Sequence, residues 1–492
     1  MASERLSGLG NRAVILTLAR LANYGLTIIS PIILVRLLTV AQFGRYREFL
    51  LYATVLNTFA TFSINASLLY FIPAEPSCRW RIVRQTATLL ACSSILVVAA
   101  LVVIDRASGG RLVGDLLLPL GAFTLFATNL DFWDYYWVAT ERAGLVFAYS
   151  SIRLAARVAV ATVTAAVTHN VQTIIWALVG LEGVRLSLAA LLWMLIETSA
   201  TEPLLTDPWR AQLRFCVPSG TGSVLSMLSR NLGGLVVAKM LGAVSFAQYA
   251  IGRAGDPVIH TLRTSVSNVV LPEMVRRARG SREASLALWR RATVVNAIVL
   301  LPVVVLILRF ARPVIAIVFG KSYVAAAIVL KIYTLVIVRE CFDFSPAVRA
   351  LTWTRPLVES NVLSLLTCAI LLALLVPVAG VAGAMAAVAL STLVDAGWLA
   401  YRTMGAYHLT LGELVPWSNM GKTAVAAILA APTLFVFAWR DLLGFGGVAL
   451  GSVAYLVTFA LLVLALRVPE AQTLLEWLRR FVPLRTPTSP GA

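Results

Sequence analysis

Four arginines, Arg20, Arg230, Arg253 and Arg263, stand in stretches that are otherwise apolar. A guanidinium grips phosphate oxygens two at a time and never loses its charge, so a group of them points to an anionic ligand. Even the lower insertion scales charge about 2.5–3.5 kcal/mol for an arginine at mid-helix, so each needs a protein partner, a water-filled cavity or a helix end. His260 lies on the same line as Arg253 and Arg263. Asp256, three residues after Arg253, forms either a structural pair with it or part of a site. Further on, Lys331 and Arg339 extend the basic theme, while Glu340 and Asp343 either pair with Arg339 or form a site for a coupling cation.

The polar residues fall on faces. Thr17, Arg20, Tyr24, Thr27 and Pro31 step by three and four, as do Thr54, Asn57, Thr61 and Asn65. Ser223, Ser226, Arg230 and Gly233 form a third line, and Arg253, Asp256, His260, Arg263 or Thr264, and Ser267 a fourth. The plainer reading of the Ser, Thr and Asn residues is interhelical hydrogen bonding, worth on average about 0.6 kcal/mol each.

The elements that must position these residues are membrane helices. The chain is 59% hydrophobic and 13% charged, with mean hydropathy +0.86, outside the range of soluble domains. Apolar runs long enough to cross about 30 Å of hydrocarbon recur throughout. Fourteen are expected, at 12–35, 46–70, 82–104, 114–138, 143–167, 172–196, 213–238, 246–271, 291–309, 324–347, 356–378, 381–401, 422–439 and 443–466. Each must be helical, because lipid offers no partner to an unpaired backbone group.

A stretch is written twice: Leu34 to Tyr46 reads LVRLLTVAQFGRY and Val237 to Tyr249 reads VAKMLGAVSFAQY, offset by 203 residues. The offset spans six helices, an even number, so the copies are parallel and related by a pseudo-twofold axis along the membrane normal. The expected fold is all-α, with two parallel six-helix lobes at 1–204 and 205–406, additional helices at 407–470 and an amphipathic tail at 471–492 lying on the cytoplasmic surface. The four polar faces are expected to converge between the lobes. Where the copies differ the second gains charge, His260 standing opposite Asn57 and Arg263 opposite Ala60, so the second lobe is expected to be the more basic wall.

Arginines set the orientation. Arg276, Arg277, Arg279, Arg282, Arg290 and Arg291 mark the 274–291 loop as cytoplasmic, which puts both termini inside. Arg36, Arg45 and Arg47 are exceptions that fall outside. The first span is too long for a signal-peptide core and is expected to remain in the mature protein. Net charge +18 and pI 10.3 then read as orientation signal and attraction to anionic lipid, not as nucleic-acid binding. Five scattered cysteines and three isolated histidines offer no metal or redox spacing, and no cofactor is expected.

Several short motifs resemble one family. Leu37 to Tyr46 resembles the L-S-x-x-E-[FY]-G-x-Y signature of polysaccharide flippases in the multidrug/oligosaccharidyl-lipid/polysaccharide exporter superfamily, with Gly44 and Tyr46 matching and Gln42 in place of the acid. Phe71-Ile72-Pro73, Phe215 to Pro218, Leu271-Pro272, Phe319 to Tyr323 and Gly380 to Ala384 resemble further landmarks in the same order. Asn231-Leu232-Gly233 departs from the Asn-Leu-Asp of many relatives, and Ala247 from the repeat glycine, so no cation-coupling role is carried over there.

The resemblance implies translocation of an undecaprenyl-pyrophosphate-linked oligosaccharide across the bacterial inner membrane by alternating access, without enzymatic chemistry. The pyrophosphate would meet Arg20, Arg230, Arg253, Arg263 and His260, and the sugar hydroxyls Asn57, Thr61, Asn65 and Asn268. Implied partners are the lipid-linked glycan, membrane lipids, and a polysaccharide polymerase and chain-length regulator. A lipid II flippase shares the fourteen-span layout. A small-molecule exporter of the superfamily would want an unpaired acid in its cavity, and a membrane polymerase or glycosyltransferase a larger external loop than any here.

Overall fold

A computed structural model describes residues 29–196, 208–351, 355–436 and 445–472. Arg20 and most of the first predicted span therefore lie outside the described residues, as does the tail from residue 473. Every regular element among the described residues is helical.

In chain order these are α1 (Val40–Thr61), α2 (Leu68–Ala74), α3 (Arg79–Ala107), α4 (Leu117–Thr128), α5 (Phe132–Ala139), α6 (Ala143–Thr168), α7 (Val171–Ile196) and α8 (Pro208–Gly252). Then come α9 (Asp256–Ala278), α10 (Arg282–Val318), α11 (Ala326–Glu340), α12 (Ser345–Ala350), α13 (Arg355–Tyr407), α14 (Leu411–Leu414), α15 (Trp417–Ala430), α16 (Thr433–Val436) and α17 (Phe445–Ala465).

Eight described helical runs are long and apolar enough to cross a membrane, or nine if the bent pair Val40–Thr61 and Asn65–Ala74 is one span. The protein is a multi-pass membrane protein. The run Trp209–Ala278 has 70 residues, about 105 Å of helix, and so contains more than one crossing. It breaks at Gly242 (φ 79°, ψ 177°) and again at Arg253–Gly255, where the backbone turns before α9 restarts at Asp256. The 53-residue α13 breaks at Gly380 (φ 54°, ψ −127°). Both glycine breaks fall between consecutive predicted spans, and a residue with a Cβ would be strained in either left-handed conformation.

Two compact units emerge. One comprises Met1–Ala250 with Leu372–Ala384, the other Ile251–Leu371 with Met385–Ala492. In the first, α1 is capped by Thr39, whose hydroxyl accepts from the Gln42 amide while Gln42 Oε1 accepts from the Thr39 amide. Phe62 and Ser63 then take left-handed φ values of 39° and 58°, and the chain bends by 52° into Asn65–Ala74.

Helix α8 packs beside that bend. A Cβ on Gly220 would lie 2.6 Å from the Phe62 carbonyl oxygen, so only glycine fits. Ser223 Oγ is 2.9 Å from Ser63 Oγ, and the Gln212 amide donates to Ser67 (2.6 Å) and Thr86 (2.7 Å). At the other end of α8, a Cβ on Gly44 would lie 1.9 Å from the Ala243 carbonyl oxygen. The two copies of the repeated word thus touch backbone to backbone. Nearby, Arg45 pairs with Glu48 (3.0 Å) and with Asp115, which neutralises one of the arginines that ran against the charge rule.

Candidate functional site

Each unit carries its own charged network inside the membrane helices. In the first, Asn57 of α1 donates to Asp131 Oδ2 (2.8 Å) and accepts from the Thr128 hydroxyl (2.8 Å). Arg153 of α6 lies between Asp131 (3.5 Å) and Asp134 (3.1 Å). One turn further along α6, Arg157 donates to Glu182 (2.7 Å), which is fully buried and also pairs with Arg185 of α7. Arg185 in turn donates to the Tyr149 hydroxyl (2.6 Å). Three arginines here face three carboxylates. A buried charge survives only when paired, and this set pairs completely.

The second unit gathers most of the charged residues singled out in the sequence. Arg253 sits in the turn between α8 and α9 and pairs with Asp256 (2.8 Å), whose other oxygen accepts from Tyr333 (2.6 Å). Arg263, further along α9, pairs with Glu340 and with Asp343 (2.9 Å). Asp343 also accepts from Ser267 (2.7 Å), and its carbonyl from the Trp289 indole (2.6 Å). Arg339 bridges Glu340 (3.3 Å) and Asp395 of α13. Three arginines are thus matched by four carboxylates. In this cluster the acids outnumber the arginines by one, and the guanidiniums are already held by them.

The remaining candidates are placed differently. Arg230 is exposed and belongs to the first unit, while Arg253, Arg263 and His260 belong to the second; His260 is exposed. Thr61 is buried and bonds back to the Asn57 carbonyl (2.9 Å), and buried Asn65 accepts from the next backbone amide (2.8 Å). Lys331 is half-buried, its carbonyl accepting from Thr334 (2.6 Å). Asn268 lies in α9, and its side chain is outside the description.

Sequence reasoning missed Asp131, Asp134, Arg153, Arg157, Glu182, Arg185 and Asp395. The signal was present: Arg153 and Arg157 are one turn apart inside an apolar run, as are Glu182 and Arg185, and charge in such runs is costly enough to demand a partner. Among the described residues no group of His, Cys, Asp and Glu has the arrangement of a metal site.

Non-helical backbone at membrane depth is tolerated only where protein or a water-filled cavity satisfies it. The turn at Arg253–Gly255 is such a place, with ionised side chains on both sides of it. Broken helices with charged groups at the break are how transporters hold ions and anionic groups.

Comparison with solved structures agrees. The chain superposes on the lipid II flippase MurJ in an inward closed conformation with TM-score 0.67, at 13% identity over 94% of this chain and 100% of that one. An inward-facing multidrug resistance MATE transporter of the MOP superfamily matches with TM-score 0.54, at 15% identity over 78% of this chain and 94% of that one. A mutant of the Vibrio cholerae MATE transporter VcmN gives TM-score 0.51 at 13% identity, over 79% of this chain and 94% of that one.

The fold is the one these three structures share. Residues 143–328 match the family described as polysaccharide biosynthesis protein. Together these bear out the resemblance carried by the short motifs, to a polysaccharide flippase of that superfamily. A search of curated proteins finds no match.

Proposed function

We propose that the chain is a flippase that carries an undecaprenyl-pyrophosphate-linked oligosaccharide, a polysaccharide repeat unit, from the inner to the outer leaflet of the bacterial cytoplasmic membrane. The observation that carries this reading is the polysaccharide-biosynthesis match in a chain of MOP fold. Both termini are cytoplasmic in this reading, and the lobes at 1–204 and 205–406 rock to expose the substrate path alternately. No bond is made or broken. The polymerase and chain-length regulator receive the product.

The pyrophosphate is taken by Arg20, Arg230, Arg253, Arg263 and His260. Because Arg253 and Arg263 are already held by carboxylates, the anion enters by exchange. As it engages Arg263, Glu340 and Asp343 are released, and a proton or metal cation is then needed to neutralise them. Coupling and substrate binding therefore share one cluster. Asn57 and Asn268 meet the glycan, with Thr61 and Asn65 shaping the helix beside it.

A second reading, movement of a lipid II-type peptidoglycan precursor, is favoured by the lipid II flippase superposition. Gene deletion separates the two: the first reading expects a lipid-linked polysaccharide repeat unit to accumulate on the cytoplasmic side, the second a lipid-linked peptidoglycan precursor. Accumulation of neither sinks both. Single replacements of Arg253 and Arg263 by Ala are expected to abolish export per molecule of protein in the membrane, and neutral results at both would remove the site assignment. A reporter fused at residue 280 is expected to read as cytoplasmic.

A further inference from the structure

We propose that Arg309 is the centre of a binding site for the phosphate of an anionic lipid headgroup, built where α10 packs against the C-terminal helices. The site is separate from the charged clusters above and does not depend on which substrate is moved. Within the second unit α10 packs against α15 and α17. The Arg309 guanidinium carbon lies 5.3 Å from the ring centre of Phe310 and 5.2 Å from that of Phe435 in α16. The cation is thus clamped by two aromatic rings, a geometry that fixes a guanidinium while leaving its edge free to donate.

What the clamp lacks is an acceptor. Arg309 Nε is buried without a hydrogen-bond partner, and among the described residues no carboxylate pairs with this arginine. Every other buried arginine network described above ends on carboxylates; this one ends on rings. A desolvated charged donor left unpaired is costly, and the planar fork fits a phosphate's oxygens.

Two observations identify the source of that phosphate. The rim is apolar and exposed, with Leu308 at 48% and Phe435 at 61% relative exposure, and in a membrane-spanning protein such side chains face lipid. A ligand reaching Arg309 therefore comes from the bilayer. The depth also fits. Arg309 follows Arg282, the start of α10, by 309 − 282 = 27 residues, about 40 Å of helix, against about 30 Å of hydrocarbon. The guanidinium then stands at headgroup level on the side opposite the arginine-rich joint of α9 and α10. Basic pockets between membrane helices bind anionic headgroups in this way.

An arginine that merely snorkels to the interface would not need Phe435, which supplies the test. The full-length protein is extracted from vesicles of equimolar phosphatidylglycerol and phosphatidylcholine, and the lipids it retains are counted by native mass spectrometry. Retention of phosphatidylglycerol over phosphatidylcholine is expected, falling about tenfold in Arg309→Gln. In Phe435→Leu, which keeps the charge, it is expected to fall about threefold. Arg312→Gln, an exposed cation one turn away, is expected to leave it unchanged. Equal retention of both lipids by the parent protein, or undiminished retention in Phe435→Leu, overturns the proposal even if Arg309→Gln fails to fold.

Discussion

The two copies of the repeated stretch begin helices that do corresponding jobs with different chemistry. In the first, α1 runs unbroken from Val40 to Thr61 and reaches the acid Asp131 through a neutral amide, Asn57. In the second, the corresponding helix breaks at Arg253–Gly255, resumes as α9, and reaches the acids Glu340 and Asp343 through a guanidinium, Arg263, where the first copy has Ala60. In the first joint the donor from the repeated stretch is uncharged, and the charge on Asp131 is met by Arg153 of another helix. The second holds opposite charges beyond a broken helix.

Arg263→Ala should break the comparison most severely, since it takes from Asp343 its cation and leaves Glu340 only Arg339; a loss of about 3–5 kcal/mol is expected, read as thermal stability in detergent. Adding Glu340→Gln and Asp343→Asn should recover much of it. If the triple variant is no better than the single, the carboxylates are not what the arginine neutralises. Asn57→Ala removes one donor from Asp131 and leaves Arg153 in place, so a smaller loss of about 1.5–3 kcal/mol is expected by the same measurement.

Gly44→Ala drives a methyl into the Ala243 backbone and should cost about 1–3 kcal/mol. The counterpart Ala247→Gly merely removes a buried methyl and adds chain entropy, and should cost about 1 kcal/mol. Equal costs would mean the two copies are packed alike. The smallest effect belongs to the helix starts. Thr39 caps α1 with its side chain, whereas its counterpart by the 203-residue offset is Gly242, which turns by its backbone alone. Thr39→Ala should therefore cost about 1 kcal/mol, seen as faster hydrogen exchange in the first turn of α1.

Much of this was legible in the sequence because membrane helices follow from hydropathy alone. The helix breaks at Gly242 and Gly380 fall between consecutive predicted spans, and the pairing of Arg253 with Asp256 was visible as a three-residue step. What was not legible is which distant acids an intramembrane arginine finds. Arg339 pairs with Asp395 in α13, and Arg263 with residues nearly eighty positions away, contacts set by helix packing and not by spacing. Reading the arginines without those acids made the second copy look more basic than it is. The first unit's network is less legible for a related reason: Arg153, Arg157, Glu182 and Arg185 lie outside the repeated stretch, and their partners too are set by helix packing.

The contact between Gly44 and Ala243 has a register set by the repeat. Subtracting the 203-residue offset turns Ala243 into position 40 of the first copy, so the touch is position 44 of one copy against position 40 of the other. That is how a self-complementary patch meets itself in a twofold dimer, where the same touch must occur twice. Two separate chains docking through such a patch would lose about 4–15 kcal/mol of translational and rotational freedom. Fused into one chain they meet at high effective concentration, and the patch can hold with one of its two glycine contacts given up. Ala247, where the second glycine would stand, breaks the symmetry of that patch.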